Sequence, residues 1–342
     1  MTVTDPTLSD GIRIARINGA YRQAKVLHCA VELGLFELLA TRPADEDEIV
    51  ERLGLRPRLA RSLLFALVAL ELLERDGRRY RNSPAVTEFL CPAGEVNLGP
   101  AVRVASRRHY RAWADLSDAV RENTGAETVD EGHNAFADLY RNLDDARGFL
   151  AHMDSFNGFI GPALVDCLPW RRYRSFVDLG GGRGNIAAQL VRAWPHLAGG
   201  VFELPAIRPL FDEYMTQLGV ADRVTFHGGD FFVDPVPPAD VLLFGHVLHD
   251  WSAERCRVLL ERAAEALPSG GAVVVYDQML DEAEPDLHSA LASLNVALMT
   301  SFGSEYTVEE CRGWLEKAGL RVTGGRRLHT VGSDYLLVAE KP

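Results

Sequence analysis

The stretch Val177-Asp178-Leu179-Gly180-Gly181-Gly182-Arg183-Gly184 decides how this chain is read. An apolar run from Ser175 to Leu179 leads into glycines at alternate positions, and a helical pattern starts near Asn185. Strand, tight loop and helix are therefore predicted, with glycine needed where bare backbone must turn and let a ligand approach. Gly180, Gly182 and Gly184 read G-x-G-x-G, whereas a dinucleotide fingerprint reads G-x-G-x-x-G; Asp178 stands two residues before the first glycine. No Lys-Ser/Thr pair follows, so this is not a phosphate-gripping Walker loop. An acid ahead of the loop suits a ligand that carries an ammonium group rather than a pyrophosphate. S-adenosylmethionine is the cofactor with that chemistry.

The next two strands extend the reading. Ala198 to Leu204 forms the second, and Glu203 stands near its end, about twenty residues past the loop, where an open α/β sheet places the acid that binds a ribose diol. The third, Val224 to His227, leads to Gly229-Asp230-Phe231. Asp230 is placed there to accept from an adenine amine, and Phe231 to cover the ring face. Further strands are read at Ala239–Gly245, Ala272–Gln278, Leu320–Arg327 and Tyr335–Ala339, alternating with helices. That alternation predicts a Rossmann-like, doubly wound α/β sheet of about seven strands, which binds ligands beyond the carboxyl ends of its strands.

The whole chain bounds the alternatives. Its 342 residues allow more than one domain, and 47% hydrophobic with 25% charged residues is ordinary for a soluble globular protein. A net charge of −12 opposes nucleic-acid binding, which needs a concentrated basic surface. No apolar run approaches the roughly 20 residues of a membrane span, and Met1 to Asp10 has no signal-like pattern. The five cysteines, Cys29, Cys91, Cys167, Cys256 and Cys311, are scattered singly, as reduced thiols of a cytosolic protein would be.

Ahead of the glycine loop the pattern is helical. Ile14, Ile17, Tyr21, Ala24, Leu27, Val31 and Leu35 recur at three- and four-residue steps in the segment Ile12–Ala40. Helices at Asp45–Leu53 and Arg58–Leu72, then an extended wing at Arg78–Asn82, outline a winged helix. The second of these helices is too apolar on every face to lie in a DNA groove. Residues 1–100 are thus read as a helical, winged-helix domain, 101–168 as a helical connector, and 169–342 as the cofactor-binding domain, with the boundary at Pro169-Trp170-Arg171-Arg172.

The fourth strand of the sheet ends in His246-Val247-Leu248-His249-Asp250-Trp251. Two histidines three apart raise the thought of a metal, but no further ligand stands at suitable spacing apart from Asp250, so no metal is expected. A proton acceptor at the sheet's functional edge fits better, and spacing alone does not rank His246 against His249.

The glycine loop, Gly-Asp-Phe, Leu-His-Asp-Trp and Gly303-Ser304-Glu305-Tyr306-Thr307, in that order, make the chain resemble the small-molecule O-methyltransferases typified by plant caffeic acid O-methyltransferase and bacterial secondary-metabolite enzymes. The resemblance spans nearly the whole length. It implies an N-terminal domain that forms a homodimer, S-adenosylmethionine as methyl donor, S-adenosylhomocysteine as product, and His249 as general base flanked by Glu305 and Asp277. It also implies cofactor contacts from Asp178, Gly180, Gly182, Glu203, Gly229, Asp230, Phe231 and Trp251. Asp277 stands where plant members have glutamate, and Gly245 stands where several members have a cofactor-touching lysine, so Gly245 would serve through its backbone. An aromatic acceptor would lie between a helix bearing Phe149 and Met153 and one bearing Asn295 and Met299, with Trp113 or Phe136 as a stacking wall. N- or C-methylation, non-methylating hydroxylation or decarboxylation on the same fold, and a ligand-sensing regulator are the alternatives. Retention of His249 opposes the non-methylating chemistry, and the acidic balance of the chain together with the apolar Arg58–Leu72 helix opposes the regulator.

Overall fold

The computed structural model describes residues 6–91, 96–122, 135–300 and 302–342. It divides into two compact units, Met1–Tyr110 and Arg111–Pro342. The first contains α1 (Pro6–Gly19), α2 (Tyr21–Glu32), α3 (Leu35–Thr41), β1 (Ala44–Asp45), α4 (Glu46–Leu53) and α5 (Pro57–Ala69). It continues through β2 (Leu73–Asp76), β3 (Arg79–Asn82), α6 (Pro84–Phe89), α7 (Gly99–Val104) and a π-helical stretch, Ala105–His109.

The helical pattern read from Ile12 to Ala40 is divided at Gly34, as glycine there leads one to expect, and also near Ala20, so three helices stand in the segment. The wing is a hairpin in a small antiparallel sheet of order β1-β3-β2. Asp45 starts α4 with a reciprocal cap: its side chain accepts from the Glu48 N–H while Glu48 accepts from the Asp45 N–H. In α5, Ala60, Leu64 and Leu67 are buried, whereas Leu59 and Phe65 stay exposed. Ile12, Ile14, Ile17 and Tyr21 are likewise each about half or more exposed, at 47%, 62%, 65% and 54%.

The second unit opens with α8 (Tyr110–Ala112), a 3₁₀ turn at Trp113–Asp115, α9 (Leu116–Glu122), α10 (Ala135–Leu139) and the long α11 (Leu143–Val165). Then follow β4 (Ser175–Leu179), α12 (Asn185–Ala193), β5 (Ala198–Glu203), α13 (Arg208–Leu218), β6 (Val224–Gly228) and β7 (Val241–Gly245). The chain ends with α14 (Ala253–Ala266), β8 (Ala272–Asp277), α15 (Leu287–Met299), α16 (Val308–Lys317), β9 (Arg321–Arg327) and β10 (Tyr335–Glu340).

All seven predicted strands form one sheet of order β6-β5-β4-β7-β8-β10-β9, with β10 antiparallel to both its neighbours. Helices cover both faces, so the central strands are apolar throughout; Val241 to Phe244 and Ala272 to Val275 are all 0% exposed. The strand order reverses between β4 and β7, the place in such a sheet where ligands bind beyond the carboxyl ends of the strands.

The Pro169–Arg172 stretch, read as a domain boundary, lies inside the second unit. Trp170 is fully buried and donates from its indole to the Leu164 carbonyl at 2.9 Å. Helix α11 is fastened to α12 by Gln189, whose amide donates to the Asn157 carbonyl at 3.1 Å. No helix among the described residues is long and apolar enough to cross a membrane.

Candidate active site

Two groups of buried carboxylates stand at the carboxyl edge of the sheet. The first surrounds the glycine loop. Gly180, Gly182 and Gly184 all have positive φ, at 73°, 55° and 87°, which explains glycine at alternate positions. Space is short as well: a methyl group on Gly180 would lie 2.8 Å from Val247, one on Gly182 2.8 Å from Leu150, and one on Gly181 2.6 Å from the Asp178 carboxylate. Glu203 holds the loop. It accepts from the Gly182 N–H at 3.1 Å and from the Leu204 N–H at 2.7 Å. Burial raises its pKa to about 7 against those two hydrogen bonds.

Asp178 is 3% exposed, and its pKa is also pushed up to about 7, by burial first and then by Glu203. No cation and no hydrogen-bond donor among the described residues acts on it. A buried carboxylate without a cation, facing the N-terminus of α12, is a donor set that fits a ligand with its own ammonium group.

Beside the loop, Phe231, Phe232 and Trp251 pack edge to face, with ring centroids 4.7 to 6.1 Å apart. The Arg255 guanidinium lies 3.9 Å from the Phe232 ring centre and 4.7 Å from that of Trp251. Gly229 is forced by Phe202, which a methyl group there would meet at 2.6 Å. Asp230 Oδ1 accepts from the Phe232 N–H at 2.9 Å.

The second group is built on the turn after β7. His246 adopts φ 53°, and the chain then makes a 3₁₀ turn, Leu248–Asp250, that carries His249. His249 Nδ1 lies 2.6 Å from Glu305 Oε1, a contact that in the neutral imidazole keeps the proton on Nδ1 and makes Nε2 the acceptor. Gly303 lets the Glu305 segment run against this turn, since a methyl group there would lie 2.5 Å from the His249 carbonyl oxygen. Glu305 takes no part in capping α16, which Thr307 and Glu310 cap reciprocally.

Asp277 stands back at 3.7 Å from Nδ1 and accepts from the Tyr306 hydroxyl instead. One oxygen each of Asp277 and Glu305 is buried with no partner. Asp250 lies 3.9 Å from Nε2. Burial opposes charge on His249, but Glu305, then Asp277 and Asp250, override it and hold its pKa well above the ordinary value. This departs from an imidazole that titrates near neutrality.

Two further pairs escaped the sequence reading. His246 Nε2 lies 2.6 Å from Asp334 Oδ1, and its ring stacks on that of His249 at 5.7 Å and 10°. His246 is therefore a buried, paired group rather than simple packing, and Asp334 is 88 residues away in sequence with no motif to announce it. Tyr306 on Asp277 is the other.

Among residues expected to line an acceptor site, Trp113 donates from its indole to Asn295 Oδ1 at 3.0 Å. Phe136 packs on Phe149 at 6.0 Å and on Trp251 at 6.2 Å, so these four residues and Trp251 are brought together in two sets. Met153 and Met299 are half-buried on α11 and α15.

Residues 113–321 match the O-methyltransferase domain, and residues 16–91 match the O-methyltransferase dimerisation domain. The chain belongs to the O-methyltransferase family. It is 47% identical to the N,N-dimethyltransferase OxyT of Streptomyces rimosus, over 96% of each chain. It is 44% identical to the tetracenomycin polyketide synthesis 8-O-methyl transferase TcmO of Streptomyces glaucescens, again over 96% of each. The crystal structure of human N-acetylserotonin methyltransferase in complex with S-adenosylmethionine superposes with a TM-score of 0.88 at 27% identity, covering 100% of this chain and 99% of that one. The second unit has the fold of S-adenosylmethionine-dependent methyltransferases, and the chain is a methyltransferase.

Proposed function

We propose that this methyltransferase transfers a methyl group to a hydroxyl of an aromatic, polyketide-like acceptor, with His249 as the base. The observation that carries the reading is the 2.6 Å contact between His249 Nδ1 and the buried Glu305, which makes Nε2 the acceptor when the imidazole is neutral. A phenol has a pKa of about 10 and is mostly protonated at neutral pH, so a base must take its proton as the new C–O bond forms. Glu305 fixes the tautomer and stabilises the imidazolium produced. Asp277, tied to Tyr306, adds negative charge behind the imidazole from further off.

S-adenosylmethionine, when bound, supplies an electrophilic methyl group on a sulfonium. Asp178 would take its ammonium group, Glu203 its ribose hydroxyls, and Asp230 its adenine amine, with Phe231 and Trp251 against the ring. Gly180, Gly182 and Gly229 keep side chains out of the way, and Gly245 leaves the end of β7 bare. Trp113, Phe136, Phe149, Met153, Asn295 and Met299 would hold the flat acceptor in line with the methyl group, an alignment that supplies much of the acceleration. The family match over residues 16–91 and the exposed Ile12, Ile14 and Ile17 support a homodimer formed through the N-terminal domain.

N-methylation is the second reading, favoured by the name of the 47% identical relative. Mass spectrometry with hydroxylated naphthoates and linear polyketide phenols, and with amino-bearing analogues, separates the two. The expected product gains one methylene unit on oxygen as one S-adenosylhomocysteine forms. Methyl gain on nitrogen alone overturns the oxygen reading, and oxygen gain or carboxyl loss overturns transfer altogether.

A further inference from the structure

Gly245 closes β7, and its neighbour in parallel register on β8 is Tyr276. A methyl group on Gly245 would lie 1.8 Å from Tyr276 Cζ and 2.0 Å from the hydroxyl oxygen. The phenol ring therefore lies across the bare end of β7, reaching from β8 toward β4. Tyr276 is 2% exposed, and its ring edge meets His246 at 5.7 Å. Its hydroxyl bonds to no described residue, so its hydrogen-bonding capacity is open to a ligand. Burial keeps the phenol protonated far into alkaline pH, and Asp178 is the charge acting on it most strongly. Tyr276 and Asp178 are thus two mostly buried residues whose polar atoms bond to no described residue, and they stand beside the end of β7, where the strand order reverses.

We propose that Tyr276 completes the cofactor's amino-acid subsite, its phenol oxygen accepting a hydrogen bond from the same ammonium group that Asp178 neutralises. This rests on the reading of Asp178 given above. Gly245 has a role of its own in this arrangement: any side chain there would displace the ring. The volume missing at one strand end is filled by the residue beside it, which brings a hydroxyl to the sheet's carboxyl edge that neither strand could otherwise supply.

Calorimetry on the full chain tests this with two probes. S-adenosylhomocysteine carries the amino-acid end; 5′-methylthioadenosine has the same nucleoside and sulfur without it. Tyr276→Phe keeps the ring and should weaken S-adenosylhomocysteine about tenfold, the lower end for a hydrogen bond to a charged group, while methylthioadenosine binds as before. Gly245→Ala, which pushes the ring aside, should produce the same selective loss. Unchanged S-adenosylhomocysteine affinity in Tyr276→Phe overturns the proposal. An equal loss for both probes also overturns it, since that would mark a packing role. Asp178→Asn separates this from failure of the underlying reading. If Asp178→Asn leaves S-adenosylhomocysteine binding intact, the ammonium site itself is wrong; if it weakens binding while Tyr276→Phe does not, only the tyrosine's part falls.

Discussion

The two carboxylate clusters at the sheet edge are built from the same materials and differ in one respect. Around the glycine loop, Asp178 and Glu203 are buried together without a cation. Around the turn after β7, Glu305, Asp277 and Asp250 surround His249, which supplies a cation from within the protein. A buried negative charge needs a positive partner. The first cluster has no such partner among the described residues, and the second carries it as part of the fold. On the function proposed above, one would bind a cation and the other would hold and release a proton.

Breaking the second cluster should have the larger effect. His249→Ala should lower turnover about 10²–10⁴-fold, the usual scale for a general base, with S-adenosylhomocysteine affinity nearly unchanged in calorimetry. Alkaline pH should partly restore the rate with a phenolic acceptor, because the phenolate then forms in solution. Glu305→Gln should lower turnover less, since the amide still bonds to the imidazole but cannot stabilise its charge. Near-normal turnover in His249→Ala at neutral pH would reduce this cluster to a structural one.

Breaking the first cluster should leave the proton chemistry alone. Glu203→Ala should weaken cofactor binding by about 1.5–3 kcal/mol, the range for hydrogen bonds to a charged group. Because Glu203 also accepts from the Gly182 N–H, part of that loss is a loosened loop. At saturating cofactor the turnover should recover most of its wild-type value. A turnover deficit that saturation does not repair would mean that the two clusters are not separable.

The first cluster was legible in the sequence and much of the second was not. Asp178, the glycines and Glu203 follow one another on consecutive strand ends, so parallel α/β topology delivers them to one edge in order. Most of the seven strands were legible because their apolar runs are short and bounded; β9, RVTGGRR, is largely exposed and followed only from the alternation of elements. Glu305 and Asp277 needed a family pattern to be singled out, since they reach His249 from separate segments. Asp334, Tyr306 and Tyr276 carry no pattern at all. They meet their partners only because β8, β10 and the segment after α15 converge, and pairing across a sheet leaves no trace in local spacing. The helical character of the 101–168 connector was legible, but the allegiance of α11 was not, because what binds α11 to α12 is Gln189 reaching a carbonyl.

A pH experiment gives the finest test of the contrast. Asp178 and Glu203 have pKa values raised from 3.8 and 4.5 to about 7 in the ligand-free protein. An acid whose folded pKa is raised contributes stability that is full below its unfolded pKa and is lost as the pH climbs through the folded one. The free protein should thus lose stability from this pair between about pH 4 and 7, and a ligand bearing an ammonium group should restore it. Affinity for S-adenosylhomocysteine should accordingly rise with pH, by at most tenfold per unit for each proton released, and level off above about 7. His249 also has a raised pKa, held there chiefly by Glu305 against burial, and it accepts a proton only when neutral. Turnover at saturating cofactor should therefore also rise with pH, but for a different reason. The variants uncouple the two curves. Glu305→Gln lowers the His249 pKa and should move the turnover profile to lower pH while the binding profile stays put. Asp178→Asn should flatten the binding profile and leave the turnover profile where it was. If either substitution shifts both curves together, the clusters titrate as one unit, and the division between a site that awaits its cation and one that owns it does not hold.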